Sequence, residues 1–239
     1  MFHEHASVIQ DLTFKHTGCV LTESQNAQFC LYGDLLQEWN QRMNLTRITE
    51  PHEVILKHFI DSMILTRFLS GSCFADLGTG AGFPGVPLKI LRPELDVILM
   101  DSLKKRLGFL DIVIDRLNLT GIMTVHARTE DFGKDPLYRG HFDTVSSRAV
   151  ARLPVLLEYA LPVLKINGLF LAPKGSQTDN ELAESQKALK VLGGEVEGIE
   201  RYSLGEGAEY RAVVLIRKVK QTPLQYPRQP GVPVKNPLI

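Results

Sequence analysis

Hydrophobic residues recur at helical spacing through the first 70 residues of the chain. The apolar positions between residues 24 and 43 share one helical face, and they are Phe29, Tyr32, Leu35, Leu36, Trp39 and Met43. A second helical pattern opens at Pro51, a residue favoured in the first turn of a helix, and ends at Gly71. We therefore expect residues 1–70 to form a helical extension.

The pattern changes after this extension, where short apolar runs alternate with helical stretches. The apolar runs predict strands at 73–77, 97–100, 122–126, 142–146 and 169–172. The helical stretches lie near 85–92, 102–117, 149–165 and 178–192. Such alternation predicts an α/β fold with a mostly parallel, doubly wound sheet and helices on both faces.

The end of the chain departs from this alternation. Residues 195–202 and 210–218 flank the segment SLGEGAE, which predicts an antiparallel hairpin at the edge of the sheet. Residues 221–239 contain five prolines and no acidic residue, and they predict an irregular tail. We therefore expect a core domain over 71–220, between the helical extension and a basic, proline-rich tail over 221–239.

Charge is balanced over the whole chain but not along it. Lys and Arg together number 27 and Asp and Glu together number 27, so the formal net charge is zero. From residue 210 onward the chain has no acid and six basic residues, which are Arg211, Arg217, Lys218, Lys220, Arg228 and Lys235. This asymmetry predicts a strip that faces RNA, with a merely soluble tail as the alternative.

Cysteine usage and hydropathy bear on the compartment. Cys19, Cys30 and Cys73 are widely spaced and odd in number, so neither a zinc site nor a disulfide framework is indicated. No cluster of His, Cys or acid has metal-ligand spacing, and we expect no metal. No signal peptide is evident, and no apolar stretch reaches the roughly 18 residues that span a membrane. We expect a cytoplasmic protein without a membrane partner.

A glycine-rich segment, DLGTGAGFPG at 76–85, lies between a predicted strand and a predicted helix. Gly78, Gly80 and Gly82 lack the Cβ that would block a ligand, and the following helix directs free N–H groups at the loop. Two cofactors fit this segment. GAGFPG is the G-x-G-x-x-G of dinucleotide binding, and DLGTGAG is the acid-x-G-x-G-x-G of S-adenosylmethionine (SAM) methyltransferases.

Acidic residues distinguish between these cofactors only in part. Asp101 ends the second strand, where a carboxylate binds ribose hydroxyls in both cofactor classes or caps the helix that begins at Ser102. Asp76 favours SAM, because a carboxylate there receives the ammonium of the methionine moiety, directly or through water, whereas it repels a pyrophosphate. The third strand ends near Thr129 and Glu130, which leaves a place for an adenine base.

Two further groups of polar residues each allow two interpretations. Lys104, Lys105 and Arg106 open a helix, where cations oppose the helix dipole, so they either face a phosphate backbone or form a solvated surface. His58 and Asp61 are three residues apart on one helical face. They lie either at the mouth of the site or as an internal pair.

Motifs along nearly the whole chain are similar to those of one family. They are WN at 39–40 with NLT at 44–46, KHFIDS at 57–62, DLGTGAGFPG at 76–85, MDSLKKR at 100–106, SRA at 147–149, KG at 174–175, and YPRQPG with KNPL in the tail. This ordered set resembles the RsmG family, also called glucose-inhibited division protein B.

The resemblance implies a fold and an activity. The fold is that of a class I SAM-dependent methyltransferase, Rossmann-like, with an N-terminal helical extension. The family methylates N7 of one guanine, guanine 527 in the 530 loop of bacterial 16S rRNA, with SAM as cofactor. The implied partner is 16S rRNA in the small ribosomal subunit or in an assembly intermediate, and we expect a monomer.

The resemblance also implies residues that bind the cofactor. Gly78 and Phe83 match the loop positions that contact SAM, and Asp101 matches the acid beside the ribose. Thr129 and Glu130 match the pair beside the adenine. The loop residues Asp76, Gly80 and Gly82 complete the predicted cofactor site.

Arg148 matches an arginine that lies beside both the cofactor and the target base, and it is the implied catalytic residue. Ala81 stands where the family often has proline, and Pro173 leaves the role of the neighbouring Lys174 open. Guanine N7 has an in-plane lone pair and no proton at neutral pH, so we expect no general base and catalysis by orientation. Arg148 then holds O6 of the base or a flanking phosphate.

Two alternatives to this activity stay open on the sequence. One is a dinucleotide-dependent oxidoreductase, because the glycine loop satisfies both patterns. The other is a non-catalytic RNA-binding or assembly factor that keeps a SAM-binding fold.

Overall fold

A seven-stranded sheet organises the computed structural model, which describes residues 1–205 and 210–239. The order of the strands across the sheet is β3-β2-β1-β4-β5-β7-β6. The strands are β1 Cys73–Leu77, β2 Asp96–Asp101, β3 Ile122–His126, β4 Phe142–Ser146, β5 Leu164–Lys174, β6 Gly194–Tyr202 and β7 Arg211–Lys218. Residues 206–209 of the predicted hairpin connection lie outside the described residues.

Strand directions confirm the predicted architecture. The first five strands are parallel, whereas β7 pairs antiparallel with β5 and β6 pairs antiparallel with β7. The strand order reverses at β1, which lies between β2 and β4. In sheets of this kind ligands bind beyond the carboxyl ends of the strands near such a reversal.

Helices cover both faces of the sheet and form the N-terminal extension. They are α1 Ala6–Thr17, α2 Glu23–Met43, α3 Pro51–Val54, α4 Asp61–Met63, α5 Gly85–Leu91, α6 Lys104–Arg116, α7 Thr129–Phe132, α8 Leu153–Val163, α9 Thr178–Glu184, α10 Gln186–Leu192 and α11 Val232–Lys235. Two 3₁₀ segments, Phe2–His5 and Ile64–Phe68, and a π segment, Ile55–Ile60, complete the helical elements. Within the described residues, no helix is both long and apolar enough to cross a bilayer.

Two predicted helices differ from those observed, for local reasons. The helix expected at 149–165 begins only at Leu153, because Ala149 adopts a left-handed φ of 57° that a helix does not accept. The helix expected at 178–192 is divided into α9 and α10 at Ser185. The hydroxyl of Ser185 donates to the Glu181 carbonyl at 2.6 Å, inside the turn where the two helices meet.

An aromatic cluster fixes the helical extension to the core. Within the extension, Phe59 packs at ring-centroid distances of 5.3 Å from Phe29, 5.4 Å from Tyr32 and 6.1 Å from Phe2. Tyr32 and Phe59 in turn lie 5.3 and 6.1 Å from the ring of Phe83 in the core. Phe2 is fully buried, and its backbone N–H donates to Asp34. The start of the chain is therefore an ordered part of the core.

The C-terminal segment is also packed on the core, and most of its cations are already paired. Lys218 is 1% exposed and its Nζ donates to the Leu164 carbonyl at 2.7 Å. Arg217 pairs with Glu197, and the guanidinium of Arg228 pairs with the buried carboxylate of Glu158. Because Arg217, Lys218 and Arg228 are engaged in these contacts, they do not form a free basic surface, and the strip that faces RNA stays a prediction. In this set Lys220 and Lys235 are the exposed lysines.

Candidate functional site

A cleft of about 410 Å³ lies at the carboxyl ends of β1, β2 and β4. Its walls come from the glycine loop, the start of α6, the start of α7 and the loop that follows α2. Six of the predicted site residues line it, and they are Gly78, Gly80, Phe83, Asp101, Thr129 and Arg148. Asp76, Gly82 and Glu130 are not among the residues that line the cleft.

The three loop glycines have different surroundings. All have positive φ, at 72° for Gly78, 62° for Gly80 and 101° for Gly82. A Cβ on Gly80 would enter open space, with the nearest atom at 4.0 Å, whereas a Cβ on Gly82 would lie 2.7 Å from the Tyr32 hydroxyl oxygen. The missing Cβ of Gly80 therefore leaves space in the cleft. The missing Cβ of Gly82 lets Tyr32 of the helical extension pack against the loop.

Asp76 lies beneath the loop and is fully buried, and its binding of the ligand ammonium, directly or through water, stays a prediction. Its Oδ2 accepts hydrogen bonds from the Thr79 hydroxyl at 2.7 Å and from the Gly85 N–H at 2.9 Å. Its Oδ1 is buried without a hydrogen-bond partner among the described residues. Burial raises the pKa of Asp76 from 3.8 to about 6, although the two hydrogen bonds oppose the rise.

Asp101 joins the glycine loop to the start of α6. Its Oδ2 accepts from the Gly80 N–H at 2.9 Å, and its Oδ1 accepts from the Leu103 N–H at 2.8 Å. Arg106 lines the cleft beside it, with Nη1 3.5 Å from Oδ2. The carboxylate is thus held at the cleft wall by two backbone donors. The helix begins at Lys104 and not at Ser102, and Leu103 is its N-cap without a side-chain cap bond, so the expected capping by Asp101 is wrong, whereas its ribose contact stays a prediction.

Thr129 and Glu130 take different positions at the start of α7. Thr129 lines the cleft, whereas the buried Glu130 carboxylate accepts from the Tyr159 hydroxyl at 3.3 Å and from the Gly231 N–H at 2.9 Å. Glu130 therefore anchors the C-terminal segment behind the cleft wall. The carboxylate is thus engaged with the tail, and the position of Thr129 and Glu130 beside an adenine stays a prediction.

Arg148 connects the cleft to the helical extension. Its Nη1 donates to the Asp61 carboxylate at 3.1 Å and to the Lys57 carbonyl at 3.1 Å. Its guanidinium carbon lies 5.2 Å from the Phe83 ring centroid, a cation–π contact. Asp61 is 2% exposed and also accepts from Arg211 at 3.0 Å and from the Tyr202 hydroxyl at 2.8 Å.

His58 lines the cleft and contacts three of these groups. Its ring stacks on Phe83 at a centroid distance of 4.6 Å, and its Nδ1 lies 3.2 Å from Nη2 of Arg148. Its Nε2 lies 2.8 Å from the Thr46 hydroxyl oxygen. Burial and the nearby guanidinium of Arg148 lower the pKa of His58 from 6.5 to about 3, so the imidazole is neutral near pH 7. His58 and Asp61, left open on the sequence, thus both contact Arg148.

The remaining basic residues divide into paired and exposed groups. Lys174 is largely buried, and its Nζ lies 2.8 Å from the Glu181 carboxylate and 3.0 Å from the Ala151 carbonyl. Burial lowers the pKa of Lys174. Lys104 and Lys105 are exposed at the start of α6, two and three residues after Ser102 in the cleft wall.

Sequence reasoning did not assign roles to several residues of the site. Tyr32 was placed on an apolar helical face, but its hydroxyl donates to the Ala81 carbonyl at 2.5 Å and so holds the glycine loop. Val150 lies against Gly78, where an added Cβ would be 2.5 Å from Cγ2 of the valine. Thr46, known only as part of the NLT motif, lines the cleft. A buried tyrosine hydroxyl requires a hydrogen-bond partner, and this requirement is the signal that could have identified Tyr32 from the sequence.

Comparison with known proteins identifies a family. The family model for rRNA small subunit methyltransferase G matches residues 25–208. A ribosomal RNA small subunit methyltransferase G from Desulfitobacterium hafniense is 55% identical over 239 residues, covering 100% of both chains. A protein of the same name from Acetivibrio thermocellus is 52% identical over 223 residues, covering 92% of each chain.

Similarity to solved structures agrees on the fold. A SAM dependent methyltransferase from Aquifex aeolicus matches with a TM-score of 0.55 and 18% identity, over 74% of this chain and 97% of that chain. The prediction of a SAM-dependent methyltransferase fold with SAM as cofactor is confirmed, and the oxidoreductase alternative is wrong. Because the family model spans more than half of the chain and the relatives match it almost end to end, the chain belongs to the rRNA small subunit methyltransferase G family.

Proposed function

We propose that this protein transfers a methyl group from SAM to N7 of a single guanine of bacterial 16S rRNA, guanine 527 in the 530 loop. The single observation that carries the choice of atom is the state of the one histidine in the cleft. His58 has both ring nitrogens hydrogen-bonded and a pKa near 3. It is a poor proton acceptor, which fits a target atom that has no proton to lose.

The cleft residues fit SAM as the methyl donor. Asp101 presents a fixed carboxylate for ribose hydroxyls, and Gly80 leaves open the space that a Cβ would fill. Gly78, Phe83 and Thr129 contribute further walls. SAM supplies an electrophilic methyl group carried on a positively charged sulfur.

Guanine N7 takes the methyl group with its in-plane lone pair, and no proton needs to be removed first. The protein then contributes orientation, with the reacting atoms held about 3–3.5 Å apart in line. Arg148 is the proposed catalytic residue, and its guanidinium is itself fixed by Asp61, His58 and the Lys57 carbonyl. Compensation by Asp61 limits the repulsion between Arg148 and the positive charge that develops on the base.

Four exposed cations that are close in sequence to cleft-lining residues fit a phosphate backbone. Arg47 follows Thr46, Lys104 and Lys105 follow Ser102, and Arg128 precedes Thr129. None of the four has an acidic partner within salt-bridge distance in the described part of the chain. We name them the rim cations, and we propose that they bind rRNA in place of the C-terminal strip.

The proposed partner is the small ribosomal subunit or one of its assembly intermediates, met in the cytoplasm by a monomer of this chain. We further propose the division into residues 1–70 as the helical extension, 71–220 as the SAM-binding core and 221–239 as the tail. In this scheme the extension and the core share the cleft, since Thr46 and His58 line it together with Gly78 and Asp101.

The decisive experiment is methyl transfer to small subunits whose rRNA lacks the modification, followed by mass mapping of the product. We expect one added methyl group, at the predicted guanine. The matched control is rRNA with 7-deazaguanine at that position, which replaces N7 by carbon and should accept no methyl group. Methylation that persists on 7-deazaguanine would show that another atom is the acceptor, and absence of transfer from SAM would favour an assembly factor.

A further inference from the structure

Thr46 brings to the cleft a hydroxyl group whose hydrogen is unused. This residue lies in the loop between α2 and α3, and its own N–H donates to the Asn40 Oδ1 at 2.8 Å, which fixes the loop. Its side chain lines the cleft together with those of His58, Phe83 and Arg148. Its hydrogen bonds can be assigned one by one from the chemistry of its partners.

The assignment begins at Arg148, because a guanidinium donates hydrogen bonds and accepts none. Its Nη2 lies 3.2 Å from Nδ1 of His58, so Nδ1 accepts and carries no hydrogen. A neutral imidazole with a bare Nδ1 carries its hydrogen on Nε2. Nε2 therefore donates to the Thr46 hydroxyl oxygen, 2.8 Å away.

The Thr46 oxygen accepts a second hydrogen bond, from the Ile48 N–H at 3.0 Å. A hydroxyl oxygen has two lone pairs and one hydrogen, so both lone pairs are now occupied. Among residues 1–205 and 210–239 this hydroxyl makes no hydrogen bond besides these two. The hydroxyl hydrogen is therefore free to bond an acceptor atom that enters the cleft.

We propose that the Thr46 hydroxyl donates a hydrogen bond to O6 of the target guanine and so positions N7 for methyl transfer. The inference rests on the proposed function, because it takes the substrate to be guanine. O6 and N7 lie side by side on one edge of the base, and O6 is an acceptor. A donor that holds O6 thereby sets the position of N7.

Charge favours this donor over the guanidinium of Arg148. Methylation at N7 places a positive charge on the base, and a cation against O6 would oppose that charge. In the hydrogen-bonded chain Arg148–His58–Thr46, a neutral imidazole lies between the guanidinium and the Thr46 hydroxyl. Arg148 itself is balanced by Asp61 at 3.1 Å. Thr46 thus supplies a hydrogen bond without a formal charge.

The test removes each end of the proposed bond. On the protein, Thr46→Val deletes the hydroxyl and Thr46→Ser retains it. On the substrate, 2-aminopurine at the target position keeps N7 and lacks O6. Single-turnover methyl transfer is measured for the wild type and both variants on reconstituted small subunits that carry guanine or 2-aminopurine, and SAM affinity is measured by calorimetry.

On guanine we expect Thr46→Val to slow transfer by about 10- to 100-fold and Thr46→Ser by less than about threefold. On 2-aminopurine the wild type should already be slow, and Thr46→Val should change its rate by less than about threefold, because the partner atom is gone. SAM affinity should stay within about twofold of the wild type. Should Thr46→Val fail to fold, Thr46→Ala leaves room for a water to satisfy His58 and Ile48, and it serves in the same comparison.

Two results would overturn the proposal. An equal loss on both substrates would assign Thr46 a structural role through His58 and Ile48. A SAM affinity weakened by about tenfold or more would show that the hydroxyl binds the cofactor, for example its carboxylate, and not the base. Failure of the proposed function gives a different signature, since the wild type would then add no methyl group at N7 of guanine.

Discussion

At the scale of single residues, the glycines of the cofactor loop have different reasons for being glycine. Gly80 borders open cleft space, whereas Gly82 lies against Tyr32, Leu110 and Val86. Both have a positive φ that disfavours side chains, so both substitutions carry the same kind of backbone strain. The difference between them therefore reports on what the absent Cβ would touch.

We expect Gly80→Ala and Gly82→Ala to separate binding from stability. Gly80→Ala should weaken SAM affinity by about tenfold or more and lower the free energy of unfolding by about 1 kcal/mol, the cost of a left-handed alanine. Gly82→Ala should cost about 2–4 kcal/mol in stability, because its Cβ would overlap packed side chains. Calorimetric titration with SAM and urea denaturation of each variant measure the two effects. The reverse ranking in stability would contradict this assignment.

Asp76 gives a second prediction at this scale, through its raised pKa. A carboxyl whose pKa rises from 3.8 to about 6 on folding favours the folded state below pH 4. That contribution is lost as the pH rises from about 4 to about 6, and the total loss is about 3 kcal/mol. Asp76→Asn, which does not ionise, should not show the loss.

Urea denaturation of the ligand-free protein at pH 4 and pH 7 measures this effect. Between these two values, the stability of Asp76→Asn relative to the wild type should rise by about 2–3 kcal/mol. The exposed Asp115→Asn serves as the control and should show no comparable change. A relative stability of Asp76→Asn that is independent of pH would mean that Asp76 titrates normally in the fold.

At the scale of elements, the C-terminal segment 221–239 is a structural component of the fold and packs against α8. Arg228 lies against α8, where both oxygens of the fully buried Glu158 accept its hydrogen bonds. Arg139 reaches the same segment from the other side and donates to the carbonyls of Thr222 and Tyr226. The segment therefore closes the α8 face of the sheet.

Removing one partner of the buried ion pair should be costly. We expect Arg228→Gln to lower the free energy of unfolding by about 3 kcal/mol, because Glu158 would remain buried without its cation. The exposed Lys235→Gln, seven residues on, should change stability by less than about 0.5 kcal/mol. Glu158→Gln combined with Arg228→Gln should recover part of the loss. Urea denaturation measures the stability of each variant. Equal stability of Arg228→Gln and Lys235→Gln would show that the ion pair does not stabilise the fold.

How far the sequence predicts these elements depends on the range of the interactions that form them. Strands β1, β3 and β4 follow apolar runs, which are local signals, and their predicted and observed limits coincide. The packed tail could not be predicted, because Arg228 and Glu158 are 70 residues apart and nothing local marks them as partners. The burial of Lys218 could not be predicted for the same reason, because its charge suggested a surface position.

The candidate site shows the same division. The sequence predicts Gly78, Gly80 and Asp101, which line the cleft, because strand ends and glycine spacing are visible in it. The links among Arg148, Asp61 and His58 depend on how the helical extension packs on the core, with separations of 87 and 90 residues. Sequence periodicity shows which face of a helix is buried but not which side chain it meets.

At the scale of the whole molecule, a net charge of zero conceals an uneven distribution. The cations near the end of the chain are largely neutralised by acids or carbonyls, whereas the rim cations are exposed and are close in sequence to residues of the cleft wall. RNA is therefore expected to meet the protein where the cofactor is bound.

Charge reversal tests this distribution. We expect replacement of Arg47, Lys104, Lys105 and Arg128 by glutamate to weaken binding to small subunits by about tenfold or more and to reduce its dependence on salt. SAM affinity should be unchanged. The control reverses Lys220 and Lys235, which are exposed but belong to the C-terminal set, and it should have little effect. A stronger loss in the control would restore the C-terminal strip as the RNA-binding surface.

The hydrogen bond from Gly231 to Glu130 has a consequence for the order of events during biosynthesis. Translation proceeds from the amino terminus, so Gly231 leaves the ribosomal exit tunnel after every strand of the sheet has emerged. Until then the carboxylate of Glu130, next to Thr129 in the cleft wall, lacks this partner. The newborn chain therefore completes this support of its cofactor cleft only after its sheet has emerged, so the order of synthesis places the last hydrogen bond to the cleft wall behind the assembly of the sheet.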